Sequence, residues 1–366
     1  MRKLPDFPWD RLAPAKARAG QHPGGIVDLS VGTPVDPVPT VIQDALSAGS
    51  NAPGYPLTHG TPALRAAAVG WMARRLGVTG IDQASVLPVL GTKELVAWLP
   101  TLLGLGPGDH VAIPSVAYPT YDVGARIAGA DTLVAAPEDA AALIREHRPK
   151  LIWLNSPANP NGRVAPAAEL RAVVEAAREA GTVVVSDECY IELAWDAEPV
   201  SLLHPDVCGA GHEGLLAVHS LSKRSNLAGY RAGFVTGDPA TVADLLELRK
   251  HAGMIMPQPV QDAMTAALND DTHAAEQKER YRKRRTILRE ALERVGFCID
   301  HSEAGLYLWS TRGEDCWATV DWLAERGILV APGDFYGEAG ERHVRVALTA
   351  TDERVAAAAA RLVASS

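Results

Sequence analysis

Between residues 84 and 236 the chain repeats one pattern, in which a short apolar run bounded by glycine or proline is mostly followed by a stretch with helical spacing. The runs are Val86 to Leu90, His110 to Ile113, Thr132 to Ala135, Leu151 to Leu154, Val183 to Ser186, Leu215 to His219 and Gly233 to Val235. Strands alternating with helices are the mark of an α/β fold, because a crossover helix returns the chain to pair in parallel. Helical spacing is clearest at Lys93 to Leu103, Tyr121 to Ala128 and Ala167 to Ala180, where Gly181 supplies a stop. The expected core is a mostly parallel seven-stranded sheet sandwiched by helices.

Past Met256-Pro257 the pattern changes to long helical stretches, of which the charged segment Ala274 to Arg294 reads as a solvated helix. An apolar run at Leu306 to Trp309, a helix around Trp317 to Arg326, and short strands at Ile328 to Ala331 and His343 to Ala347 complete a smaller α+β domain. At 366 residues the chain exceeds what one core comfortably holds. The expected division is an N-terminal arm with part of the small domain over 1–45, a large domain over 46–255 and a C-terminal small domain over 256–366.

Charge and cysteine use narrow the function. A net charge of -9 disfavours a nucleic-acid surface, which needs clustered Lys and Arg. Cys189, Cys208, Cys298 and Cys316 stand far apart without zinc spacing, so no metal site is expected. No run of 18 apolar residues and no apolar leader stand in the sequence, so no membrane is expected and a cytoplasmic setting is.

The segment Leu215 to Lys223 carries a buried strand into a small polar cluster ending in lysine. A lysine at a buried strand end is desolvated, which favours the neutral amine that covalent catalysis requires. It also suits a lysine whose stem lies along apolar surface with its charge in water. The segment alone leaves both readings open. Ser220 and Ser222 flank Lys223, and Arg231 returns eight residues later. Hydroxyls and a guanidinium around one amine point to a phosphate.

The run Ser220-Leu-Ser-Lys-Arg-Ser-Asn-Leu-Ala-Gly-Tyr-Arg231 resembles the lysine motif of the fold-type-I class I/II aminotransferases. The resemblance implies that Lys223 forms the Schiff base to pyridoxal phosphate while Ser220, Ser222 and Arg231 surround the cofactor phosphate. Further family motifs stand upstream in order. Asp187, which could otherwise cap a helix, resembles the partner of the pyridine nitrogen. Asn159 and Tyr190 match residues bonded to the cofactor's 3-oxygen, although Asn161 stands where the family usually has threonine. Thr92 and Lys93, between a strand and a helix, match the phosphate-cradling turn, which offers free N–H groups. Tyr118 aligns with the residue stacked on the ring. Arg345 and Gly32 match positions that meet the substrate α-carboxylate. Tyr55 resembles a tyrosine reaching the neighbouring subunit's cofactor, which implies a homodimer with a shared site. The Asn159-Pro160 bond is expected to be cis.

Finer likeness lies in Phe7 to Leu12, Leu87 to Leu95, Trp195 to Pro205 and Ala331 to Gly337. These stretches look like the actinobacterial N-succinyl-L,L-diaminopimelate aminotransferases of lysine biosynthesis, which implies an amino-acid and an oxo-acid substrate and a ping-pong cycle with glutamate as donor. An aminotransferase of another amino acid, or a C–S β-lyase, shares the scaffold and the cofactor residues. Ammonia and pyruvate release from a sulfur amino acid would favour the lyase. Some transcription regulators carry such a domain as a sensor, but they need a DNA-binding module that this acidic chain has no room for.

Overall fold

The computed structural model describes residues 4–209 and 211–364. Helix α1 (Ala13–Gly20), strand β1 (Val27–Asp28) and helices α2 (Thr40–Ala48) and α3 (Pro62–Leu76) lead into the sheet. There follow β2 (Val86–Leu90), α4 (Thr92–Leu102), β3 (His110–Pro114), α5 (Thr120–Ala128), β4 (Asp131–Ala135), α6 (Ala140–His147), β5 (Leu151–Asn155) and α7 (Ala167–Ala180). The run continues through β6 (Val183–Asp187), short α8 (Pro205–Cys208), β7 (Leu215–Ser220), one-turn α9 (Leu221–Arg224), β8 (Ala232–Gly237) and α10 (Pro239–Ala252). Gly77, Gly129, Gly181 and Gly253 close α3, α5, α7 and α10 in the left-handed conformation.

All seven apolar runs become strands of one sheet, in the order β2-β8-β7-β6-β5-β3-β4. Pairing is parallel except around β8, which runs against both β2 and β7. This is the mostly parallel sheet expected from the sequence. Two reversals restore direction, so β2 points the same way as β7. The carboxyl ends of β2, β3, β5, β6 and β7 therefore share one edge with the amino end of β8, and ligands of open α/β sheets bind beyond such an edge.

Both faces are covered, which explains the near-continuous apolar character of the strands. Leu151 and Trp153 point into a core with Leu95 and Leu99 of α4 and Tyr121 of α5, whereas Ile152 and Leu154 face α3, α6 and α7. Helix α11 (Gln258–Asn269) joins the second core through Met264, Ala267 and Leu268, packing on α2 and α3.

Beyond it lie α12 (Thr272–Arg294), β9 (Cys298–Asp300), β10 (Tyr307–Thr311), α13 (Cys316–Glu325), β11 (Ile328–Leu329), β12 (Ala331–Pro332), β13 (Val344–Ala347) and α14 (Asp352–Val363). An antiparallel sheet β12-β13-β10-β9 and the parallel pair β1-β11 share a core with α1, α12, α13 and α14. Two expectations are corrected here. Ile328 to Ala331 is not one strand: it breaks at Val330 so that β11 serves β1 while β12 serves β13. Helix α12 is also not merely solvated. Arg284 and Arg285 are buried, the first pairing with Asp36 (2.6 Å) and Asp352 (2.7 Å), the second with Asp196. Guanidinium groups enter a core when carboxylates meet them there. No described helix is long and apolar enough to cross a membrane, and no metal-ligand cluster occurs among the described residues.

Candidate active site

A cavity of about 450 Å3 opens beyond the shared strand edge. Its walls include Gly32, Thr92, Lys93, Tyr118, Asn159, Asp187, Tyr190, Ser220, Ser222, Lys223, Arg231 and Arg345. Twelve residues spread over more than 300 positions meet there. Tyr55 does not: it is fully exposed (100%) and away from the cavity.

The lysine sits where β7 ends. Ser220 is the N-cap of α9, its hydroxyl accepting the Ser222 N–H at 3.1 Å, and this turn directs Lys223 into the cavity. Desolvation holds the Lys223 amine below its ordinary range, with Arg345 and Arg231 adding in the same direction against Tyr307 and Cys189. A lowered amine pKa is what a nucleophile and base requires.

Asp187 ends β6 beside it and is buried. Its Oδ2 accepts the Tyr121 hydroxyl at 2.9 Å and its Oδ1 the Cys189 N–H at 3.2 Å. Burial raises its pKa, against the hydrogen bonds from Cys189 and Tyr121. Tyr121 is itself held by stacking on Trp153, with centroids 5.0 Å apart.

Another wall of the cavity is built from the smaller sheet. Arg345 on β13 lies opposite Trp309 of β10, so Tyr307, two residues away on the same face, places its ring 4.0 Å from the guanidinium. Arg345 donates to Asn159 Oδ1 (2.9 Å) and to the Ser30 carbonyl (2.8 Å), while its Nε has no hydrogen-bond partner among the described residues. Asn159 is fixed in turn, since its N–H donates to Asn155 Oδ1 at 2.7 Å. The loop contains cis bonds at Ser156-Pro157 and at Asn159-Pro160, the latter as expected. The Tyr190 and Tyr307 hydroxyls are 3.1 Å apart, and burial raises the Tyr190 pKa. At Gly32 a Cβ would strike the Tyr307 hydroxyl, so the glycine gives that ring its place.

At the far end, Gly91 precedes α4 with φ +81° and ψ 147°. The Arg231 guanidinium lies where a Cβ of Gly91 would be. The first N–H groups of α4, the guanidinium and the hydroxyls of Ser220 and Ser222 thus converge on an anion-sized space.

Pyridoxal phosphate fits these residues on two observations of the structure. The phosphate end has donors and a left-handed glycine clearing room for one of them. The opposite end has a buried carboxylate whose remaining need is a positive partner such as a protonated ring nitrogen. Cys189, Tyr307, Tyr121, Phe7 and Trp9 were not singled out from sequence, although Phe7, Trp9, Cys189 and Tyr307 line the cavity. Tyr307 had only an apolar strand around it as a signal, and its part follows from the register with Arg345.

A buried lysine amine, a buried carboxylate and an arginine meeting beyond this sheet edge suit a transaminating class of enzyme, and the chain belongs to the class I and II aminotransferases, whose family model matches residues 25–362. It is 65% identical to a probable aminotransferase of Mycobacterium tuberculosis, over 98% of this chain and 85% of the relative. It is 61% identical to the 4-dedimethylamino-4-oxo-anhydrotetracycline transaminase OxyQ of Streptomyces rimosus, over 99% of this chain and all (100%) of that protein. Among solved structures, a probable N-succinyldiaminopimelate aminotransferase of Thermus thermophilus superposes with a TM-score of 0.87 at 29% identity, covering 97% of this chain and 99% of the other.

Proposed function

We propose that this aminotransferase works with pyridoxal phosphate held by Lys223 and moves the amino group of glutamate to N-succinyl-2-amino-6-oxopimelate, giving N-succinyl-L,L-diaminopimelate and 2-oxoglutarate. The observation that carries the reading is the convergence of Lys223, Asp187 and Arg345 on one cavity. When bound, pyridoxal phosphate supplies the carbonyl carbon that receives the amino group and a ring that takes up the electron pair left as the Cα proton departs. Lys223 would hold the cofactor, and its neutral amine would serve as the base that takes up and returns the substrate's Cα proton. Asp187 would be the partner of a protonated ring nitrogen, and Tyr118 would pack along the ring. Arg345 orients the α-carboxylate through its paired N–H groups, which sets the Cα–H bond for removal.

Lys223→Ala should reduce turnover by about a thousandfold or more and remove the visible band that forms on adding pyridoxal phosphate. Retention of both would end the proposal. For the substrate, the enzyme is incubated with glutamate and a panel of oxo acids, succinylated and not. Release of 2-oxoglutarate with the succinylated acceptor is expected, and its absence there would remove that substrate while leaving the class.

Tyr55, exposed on one protomer, is read as serving the cavity of a partner in a homodimer. Light scattering should then give twice the 38.8 kDa chain mass, and a monomer would refute the shared site. The four unpaired cysteines support a cytoplasmic location.

A second acceptor class is favoured by a groove of about 900 Å3 that continues from the cavity past Phe7, Trp9 and Tyr118 to Phe335 and Tyr336. Its aromatic walls suit a ring system of the kind named for the Streptomyces relative. Transfer to a polycyclic ketone faster than to the succinylated oxo acid would select this reading.

A further inference from the structure

Helix α4 turns its first N–H groups toward the cavity, and its third residue is Glu94. A glutamate at that position is ordinarily the helix's own anion: it reaches back to the N-cap N–H and interacts with the positive end of the helix that an incoming phosphate would also use. Here that reach back is not made. The N-cap N–H, that of Gly91, donates to the Val89 carbonyl at 2.7 Å. The Glu94 carboxylate is held instead by Arg249 of α10, whose Nη1 donates to Oε1 at 2.9 Å and whose Nη2 donates to Oε2 at 3.3 Å. The Arg249 side chain is completely buried (0% exposed) and its Nε has no hydrogen-bond partner among the described residues. An ion pair with one member this deeply buried contributes little net stability. Its effect lies in where it puts the glutamate's charge.

We propose that Arg249 is a positioning residue for the cofactor phosphate: by holding and neutralising Glu94 it leaves the amino end of α4 open to a dianion. This rests on the reading that pyridoxal phosphate binds with its phosphate at α4. Without Arg249, Glu94 is free to cap its own helix and to repel the phosphate. The penalty falls on a ligand that carries the phosphate and not on one that lacks it.

The test is a titration of wild type, Arg249→Met, Glu94→Gln and the double variant with pyridoxal phosphate and, separately, with pyridoxal, followed by the visible band and by thermal melting. Wild type should develop the band with pyridoxal phosphate; failure there would sink the cofactor reading itself. Arg249→Met should weaken pyridoxal phosphate roughly tenfold and leave pyridoxal unchanged, and the double variant should return to within about threefold of wild type. Weakening that appears equally with pyridoxal, or that Glu94→Gln does not reverse, overturns the proposal, as does unchanged affinity in Arg249→Met. Should Arg249→Met fail to fold, Glu94→Gln alone decides, because it should keep or tighten the binding of pyridoxal phosphate, and weaker binding refutes the idea.

Discussion

Glu188 and His219 are the residues after Asp187 and before Ser220, and strand alternation turns both away from the cavity that their neighbours line. His219 Nε2 lies 3.7 Å from Glu188 Oε2, and neither atom has a hydrogen-bond partner among the described residues. Trp71 meets the imidazole edge-on at 5.0 Å, and the Arg224 guanidinium stands 5.8 Å from the Trp71 ring. Burial pushes Glu188 from its ordinary 4.5 up to about 7 and His219 down to about 3. The signs differ. Between pH 4.5 and 7 the folded protein retains a proton on Glu188 that the unfolded chain has released, so this group withdraws stability as pH rises through that window. His219 withdraws stability as pH falls from 6.5 toward 3. Glu188→Gln should therefore gain on wild type between pH 4.5 and pH 8, by on the order of 1–3 kcal/mol. Urea unfolding at the two pH values measures it, and an equal difference at both would contradict the assignment.

The turn between β2 and α4 is an element whose conformation only glycine adopts easily. With φ +81° and ψ 147° at Gly91, and the Arg231 guanidinium in the place of a Cβ, Gly91→Ala combines backbone strain of about 1–3 kcal/mol with displacement of the guanidinium proposed to serve the phosphate. Weaker binding of pyridoxal phosphate is expected in a direct titration, and wild-type affinity would show that Arg231 does not serve the phosphate. At this scale much was legible in the sequence. Each run between Val86 and Val235 became a strand of the predicted sheet, with ends displaced by at most two residues, because apolar runs between glycines and prolines specify buried strands locally. The two-residue β1 and the three-residue β9 were invisible, since segments so short exist only through their partners β11 and β10. The same limit hid the burial of Arg284, whose partners Asp36 and Asp352 lie far from it in the chain. Motif residues of the cavity could be named because their spacing is local; Tyr307 and Tyr121 act through contacts that no window of sequence contains.

At the level of the whole molecule, the amino-terminal residues roof the cavity. Trp9 packs on Phe335 at 5.3 Å and on Tyr336 at 6.3 Å, with the Arg345 guanidinium 5.8 Å from its ring. Trp9→Ala should raise the KM for the oxo acid roughly tenfold through lost packing and admitted water, with little change in melting temperature. An unchanged KM would assign the roof no part in substrate binding. The clamp itself joins remote parts of the chain: Arg345 donates to the carbonyl of Ser30, 315 positions earlier, and β1 pairs with β11. On a ribosome, Ser30 therefore waits roughly 15–60 s for the arginine to be made. The sheet is complete only at Gly237, so Lys223 and its sheet precede Arg345 by 108 positions, roughly 5–20 s; on the proposed roles, the nascent chain would hold its catalytic amine before it could select a substrate.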